Sequence, residues 1–135
     1  MILVDSDVLV AHLRGIPQAK DWLLRARRDT GRLATSTVSV AEVAGGMWSQ
    51  ERHQVTRLLS SLDIFPVSER VGWKAAELMR TYRRSHSGIG LGDFLIAATA
   101  AVEGLQLATF NIRHFPMFPD LHTPFDLPRP DDERQ

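Results

Sequence analysis

Short apolar segments that each stop at a polar residue alternate along this chain with longer amphipathic stretches, and few architectures accommodate that pattern. The run Met1-Ile2-Leu3-Val4 ends at Asp5, and a second apolar segment covers residues 33–35. A third spans 63–67 and a fourth 105–110. Strands separated by helices cannot pair as hairpins, so the alternation predicts an α/β domain with a mainly parallel sheet. Four strands are expected at 2–5, 33–35, 63–67 and 105–110, with a fifth around 121–125. Pro66 falls near a strand end, where a missing N–H is tolerated.

The intervening stretches carry helical spacing. A short helix is expected over 8–13, ending at Gly15, and a longer one from Pro17 to near Gly31, burying Ala19, Trp22, Leu23 and Ala26. Helices over 38–47 and 50–61 follow; the second aligns Val55, Leu58, Leu59 and Leu62. Residues 70–84 place Val71, Ala75, Leu78 and Tyr82 on one face. A glycine-rich loop over 85–92 leads to a buried helix over 93–103 that stops at Gly104. Pro128, Pro130 and the charged residues around them suggest a flexible tail over 127–135.

At 135 residues the chain suits one domain with one sizeable core. No apolar run approaches the ~20 residues of a membrane span, and Asp5 interrupts the N-terminal run too early for a signal peptide. No membrane association is expected. The absence of cysteine excludes a disulfide framework and thiolate metal sites, and suits a cytoplasmic location. Net charge is zero, so total charge does not point to nucleic acid. Arginine clusters at Arg25/Arg27/Arg28 and Arg80/Arg83/Arg84 are either solvated helix faces or phosphate contacts.

Three acids stand out from this background. Asp5 closes the first strand, Glu42 lies among Val40, Ala41, Val43 and Ala44, and Asp93 precedes Phe94-Leu95-Ile96-Ala97-Ala98. Charges set among apolar neighbours are costly unless compensated. In an open parallel sheet, ligands bind beyond the carboxyl ends of the strands, where strand order reverses. Asp5, Glu42, Asp93 and Asn111, which follows the fourth strand, all have access to that crevice. Such a cluster of hard oxygen donors would take Mg²⁺, with Mn²⁺ as a substitute. Each residue also has a plainer role: Asp5 and Asn111 as turn residues, Glu42 on a helix surface, Asp93 stabilising a helix N-terminus. Asp7 is placed either to cap the helix starting at Val8 or to bind metal. The five histidines are scattered singly, and no Lys-Ser or Lys-Thr follows the glycine-rich loop to make a phosphate-binding loop.

Four motifs together, Ile2-Leu3-Val4-Asp5-Ser6, Ser39-Val40-Ala41-Glu42-Val43, Gly92-Asp93-Phe94-Leu95-Ile96-Ala97-Ala98-Thr99-Ala100 and Leu107-Ala108-Thr109-Phe110-Asn111-Ile112-Arg113-His114-Phe115, resemble the PIN domain, and more narrowly its VapC-type toxins. The resemblance covers nearly the whole chain and is most specific around Asp93. It implies a three-layer α/β/α sandwich over residues 1–126 with four to five strands. It also implies a Mg²⁺-dependent endoribonuclease that acts on RNA, forms a homodimer and is neutralised by a VapB-like antitoxin. The matching acids are Asp5, Glu42 and Asp93, with Asp5 and Asp93 on the metal and Glu42 reaching it directly or through water. Asn111 stands where many relatives carry a fourth acid, which leaves one metal or two open. Ser6 is an auxiliary hydrogen-bonding residue. Two other readings compete. One is a haloacid-dehalogenase-like phosphatase with Asp5 as nucleophile, which lacks its second late acid and a lysine in a suitable loop. The other is a non-catalytic relative that only binds an antitoxin.

Overall fold

A computed structural model describes residues 1–129; the expected tail lies largely outside these residues. The chain order is β1 (Ile2–Val4), α1 (Ser6–Leu13), α2 (Pro17–Thr30), β2 (Ala34–Ser36), α3 (Thr37–Gly45), α4 (Arg52–Ser60), β3 (Asp63–Phe65), α5 (Glu69–Tyr82), α6 (Leu91–Glu103) and β4 (Gln106–Ala108). Single 3₁₀ turns at Ser49–Glu51 and Ile112–His114 complete it. The four strands are parallel in the order β3-β2-β1-β4. The chain first builds outward from β1 through β2 to β3, then crosses back to lay β4 on the opposite side of β1. Strand order therefore reverses at β1, which Asp5 terminates.

The two-residue period of the strands distributes the core. Leu3 and Ala34 face one side, where they meet Val71, Ala75 and Leu78 of α5 and Phe94, Ile96 and Ala97 of α6. Val4 and Leu33 face the other, against Val8 and Leu9 of α1, Ala26 of α2, Val43 of α3 and Val55 and Leu59 of α4. Helices thus cover both sheet faces, as an all-parallel sheet requires. α3 also touches α6, so it bridges the two layers beside the strand ends.

Most element boundaries fall within two or three residues of expectation, and two local expectations fail. No strand forms at 121–125; Leu121 instead packs on the α5–α6 core and Phe125 on the α1–α4 core. Phe125 meets Phe110 edge-on at a centroid distance of 4.9 Å. Side-chain docking, with no partner ladder, holds this segment. Asp7 is not the cap of α1. The cap is Asp5, whose carboxylate accepts from the Ser6 N–H, and α1 consequently starts at Ser6, two residues earlier than expected. α6 likewise starts at Leu91 rather than Asp93 and ends on Gly104, whose φ of 66° is the left-handed conformation that glycine adopts freely.

Candidate active site

Asp5 is 3% exposed, and the parallel register decides its surroundings. Val4 pairs with Ala108, so the next step along both strands brings Asp5 beside Thr109. The Asp5 N–H donates to the Ala108 carbonyl at 2.9 Å, and the Thr109 hydroxyl donates to Asp5 Oδ2 at 2.8 Å. Asp5 Oδ1 accepts from the Ser6 N–H at 2.7 Å. Burial raises the Asp5 pKa above the usual carboxylate value; the Thr109 and Ser6 hydrogen bonds oppose the rise, and the charge of Asp93 adds to it.

Glu42 comes from α3, whose N-terminus is fixed by the Ser36 side chain accepting from the Ser39 N–H at 3.2 Å. The Ser6 hydroxyl donates toward Glu42 Oε1 at 3.3 Å and lies 3.4 Å from Asp5 Oδ1, so Ser6 stands between the two acids. Glu42 sits exposed at the rim, yet desolvation raises its pKa, and the charges of Asp5 and Asp93 push the same way.

Asp93 occupies the third position of α6, where its Oδ2 accepts from the Gly90 N–H at 3.2 Å. The same oxygen meets His114 Nδ1 at 3.1 Å. Asp93 therefore does stabilise a helix N-terminus, as its plainer reading required, and also faces the other acids electrostatically. Among the described residues Asp93 Oδ1 has no hydrogen bond. Asn111 is exposed on the turn after β4, its N–H donating to Thr109 Oγ1 at 3.1 Å, and it lines a cavity together with Ser6 and Glu42.

Three further side chains belong to this constellation. Thr109 is fully buried and joins Asp5 to Asp7, lying 3.2 Å from Asp7 Oδ2. Asp7 Oδ2 accepts from the Phe110 N–H at 2.9 Å, so Asp7 ties α1 to the turn that carries Asn111. Burial, and secondarily the charge of Asp5, lift the Asp7 pKa to about 6. His114 is the third, through Asp93. Thr109 was findable from the register rule once β4 is placed beside β1. Nothing in the spacing of His114 signalled its contact.

Among the described residues no three acidic or imidazole side chains close into a ready-made metal cage. The donor chemistry still fits a hard divalent cation. Mg²⁺ is commonly held by one or two carboxylates, with water and substrate phosphate completing the shell. Asp5 and Asp93 provide two mutually repelling carboxylates, and Glu42 is a third within range of both charges. The phosphatase reading finds no support in this geometry. Asp7 is committed to the Thr109–Phe110 turn, and Lys74 is on the α5 surface beside Glu77.

The PIN domain family matches residues 2–118. The chain is 59% identical over 128 residues to Ribonuclease VapC10 of Mycobacterium tuberculosis, covering 95% of this chain and 96% of that protein. It is 38% identical over 125 residues to Ribonuclease VapC19 of the same organism, covering 93% and 100%. Among solved structures, a toxin–antitoxin complex from Klebsiella pneumoniae superposes with a TM-score of 0.76 at 27% identity, over 94% of this chain and 100% of that one. VapBC2 of Rickettsia felis, bound to a DNA fragment from its promoter, gives 0.75 at 26% identity over 91% and 97%. The family match over residues 2–118 and the 59% identity over nearly the whole chain leave one assignment: this chain belongs to the PIN-domain family, as one of its VapC-type members.

Proposed function

We propose that the protein is a Mg²⁺-dependent endoribonuclease of the VapC kind, restrained by a VapB-like antitoxin. The observation that supports this reading is that Asp5, Glu42 and Asp93 feel one another's charge near the sheet's switch point, where desolvation first, and then the neighbouring carboxylates, raise Asp5 and Glu42. Its support from relatives is the 59% identity to a protein named as a ribonuclease.

Asp5 and Asp93 would hold the cation. When bound, Mg²⁺ polarises a non-bridging phosphate oxygen and lowers the pKa of coordinated water. Glu42 has the raised basicity of a general base, and Ser6 fixes one of its oxygens, so it orients and deprotonates the attacking water. Asn111, neutral and exposed beside Glu42, contacts a phosphate oxygen without adding charge. Thr109 holds Asp5 in place. His114 fixes Asp93 through Oδ2 and leaves Oδ1 to the cation.

The antitoxin site we assign to a groove between α1, α2 and α4, with a volume of about 630 Å³. Leu13, Leu23, Leu24 and Leu58 give it an apolar lining, while Lys20, Arg27 and Arg57 supply positive charge. An amphipathic helix with acidic flanks is the complementary shape. Trp22, on the same helix α2, is half-buried against the core. Trp48 and Trp73 are 74% and 73% exposed, and a homodimer would cover such surfaces.

Sequencing RNA 5′ ends after brief induction tests the assignment, with Asp5→Ala as control. New ends that require Asp5 are expected. Identical end profiles for the two proteins would remove the ribonuclease reading.

A further inference from the structure

Beside the acids lies a cavity of about 340 Å³, and its lining follows one face of α1. Ser6, Val10 and Arg14 recur at helical spacing along it, so the cavity extends ~12 Å from the acid end of α1 to its C-cap. Glu42 and Asn111 line it together with Ser6; Phe110 and Leu127 contribute apolar surface. Leu127 comes from the C-terminal segment, which Phe125 anchors on Phe110. The volume is at the lower end of the ~300–1,000 Å³ found for small-ligand pockets.

We infer that this cavity is a nucleobase subsite, receiving the base next to the scissile phosphate, with Leu127 and Arg14 as specificity-determining residues. The inference rests on the ribonuclease reading and adds to it where the substrate's base is held. A nucleotide presents an anionic phosphate at one end and a flat, largely apolar ring with polar edges at the other. The cavity has the same order, because Ser6, Glu42 and Asn111 belong to the phosphate-cleaving end. Phe110 and Leu127 provide the apolar contact, and splayed RNA bases are commonly received on aromatic and guanidinium surfaces. Arg14 is exposed and ends α1, so its planar fork can pair with a base edge or stack on its face. Asp7 also lines the space, with its Oδ2 accepting from the Phe110 N–H and its Oδ1 buried without a hydrogen-bond partner. The C-terminal segment is on this view a wall of the substrate site.

The test compares wild type with Leu127→Ala and Arg14→Ala, both changes at exposed positions. The substrates are a pool of short oligoribonucleotides randomised around the cut and a matched oligonucleotide carrying an abasic ribose at each flanking position in turn. Wild type should show a base preference at one flanking position and lose roughly tenfold when that base is absent. Either variant should flatten the preference there, with the loss carried in KM, and should lose nothing further on the abasic substrate. Unchanged preference and KM in both variants would overturn the subsite. So would variants that weaken only the co-purification of the antitoxin, since the cavity would then hold a protein side chain. A 2-aminopurine ribonucleoside monophosphate separates this inference from the nuclease reading. If wild type cleaves no RNA but quenches this probe, and Leu127→Ala does not, the subsite stands and the nuclease assignment falls. If neither cleavage nor quenching occurs, both fall.

Discussion

Thr109 gives its hydroxyl proton to Asp5 across 2.8 Å while lying 3.2 Å from Asp7, so one side chain at the end of β4 serves two carboxylates at the start of α1. A hydroxyl has a single proton to donate. The shorter contact goes to Asp5, and Asp7, whose pKa reaches about 6, is the easier of the two to hold protonated. Thr109 thereby links β1, α1 and the Asn111 turn.

Thr109→Val should destabilise the fold by about 1–3 kcal/mol, because it leaves a buried carboxylate without its donor at nearly constant volume. Thr109→Ser should recover most of that loss. Chemical denaturation of the three proteins at neutral pH reads the difference. Equal midpoints for Val and wild type would show that the contact is dispensable.

Stability of the metal-free protein should fall as pH rises from about 4 to about 6. Unfolded aspartate titrates near 3.8, whereas folded Asp7 holds its proton to about 6. Across that window the folded state binds more protons than the unfolded one, so the slope is negative. Asp5 and Glu42, also raised, add to it in the same direction. Asp7→Asn should flatten the profile and stabilise the metal-free protein at pH 7 by about 1–2 kcal/mol, partial solvation discounted. A melting profile in EDTA that rises with pH in this window would refute the assignment.

Mg²⁺ or Mn²⁺ should stabilise the protein by relieving repulsion between Asp5 and Asp93. Saturation at ~100 times the dissociation constant adds about 2.7 kcal/mol. Asp93→Asn should raise the metal-free midpoint slightly, lose the metal response and abolish cleavage. Thermal melts in EDTA and in Mn²⁺ measure the first two effects and an RNA cleavage assay the third; coincident wild-type midpoints would contradict the site.

Leu24, 59% exposed in the groove between α1, α2 and α4, should matter to the antitoxin. Leu24→Asp places a charge where an apolar partner face would dock, and should weaken complex formation by about tenfold or more. The complex is measured by titration, with RNA cleavage by the free protein as control. Unaltered affinity would move the docking site elsewhere.

The alternation of apolar and amphipathic segments was enough to read the parallel sheet and both helical layers, because each parallel strand needs a crossover of helix length. The positions of Asp5, Glu42 and Asp93 were legible for a related reason: strand ends in such a sheet share one edge. What escaped were contacts made by side chains distant in sequence. Asp7 looked like a helix cap locally, but its carboxylate reaches Phe110, 103 residues away. His114 reaches Asp93 from a 3₁₀ turn that has no periodic signature. The expected strand at 121–125 failed because Phe125 found an aromatic partner in Phe110 rather than a ladder, and apolar content cannot tell these apart.

Analysis of the ends left by RNA cleavage tests the central claim most directly. If Asp5, Glu42 and Asp93 activate water, the products carry a 5′-phosphate and a 3′-hydroxyl, and cleavage stops in EDTA. Alanine at any one of the three acids should remove most activity, and all three together little more, since they act as a unit. Asn111→Ala should cost less, and Asn111→Asp should be tolerated. Cleavage that persists in EDTA, or ends bearing a 2′,3′-cyclic phosphate, would contradict the account, because the RNA's own hydroxyl would then be the nucleophile.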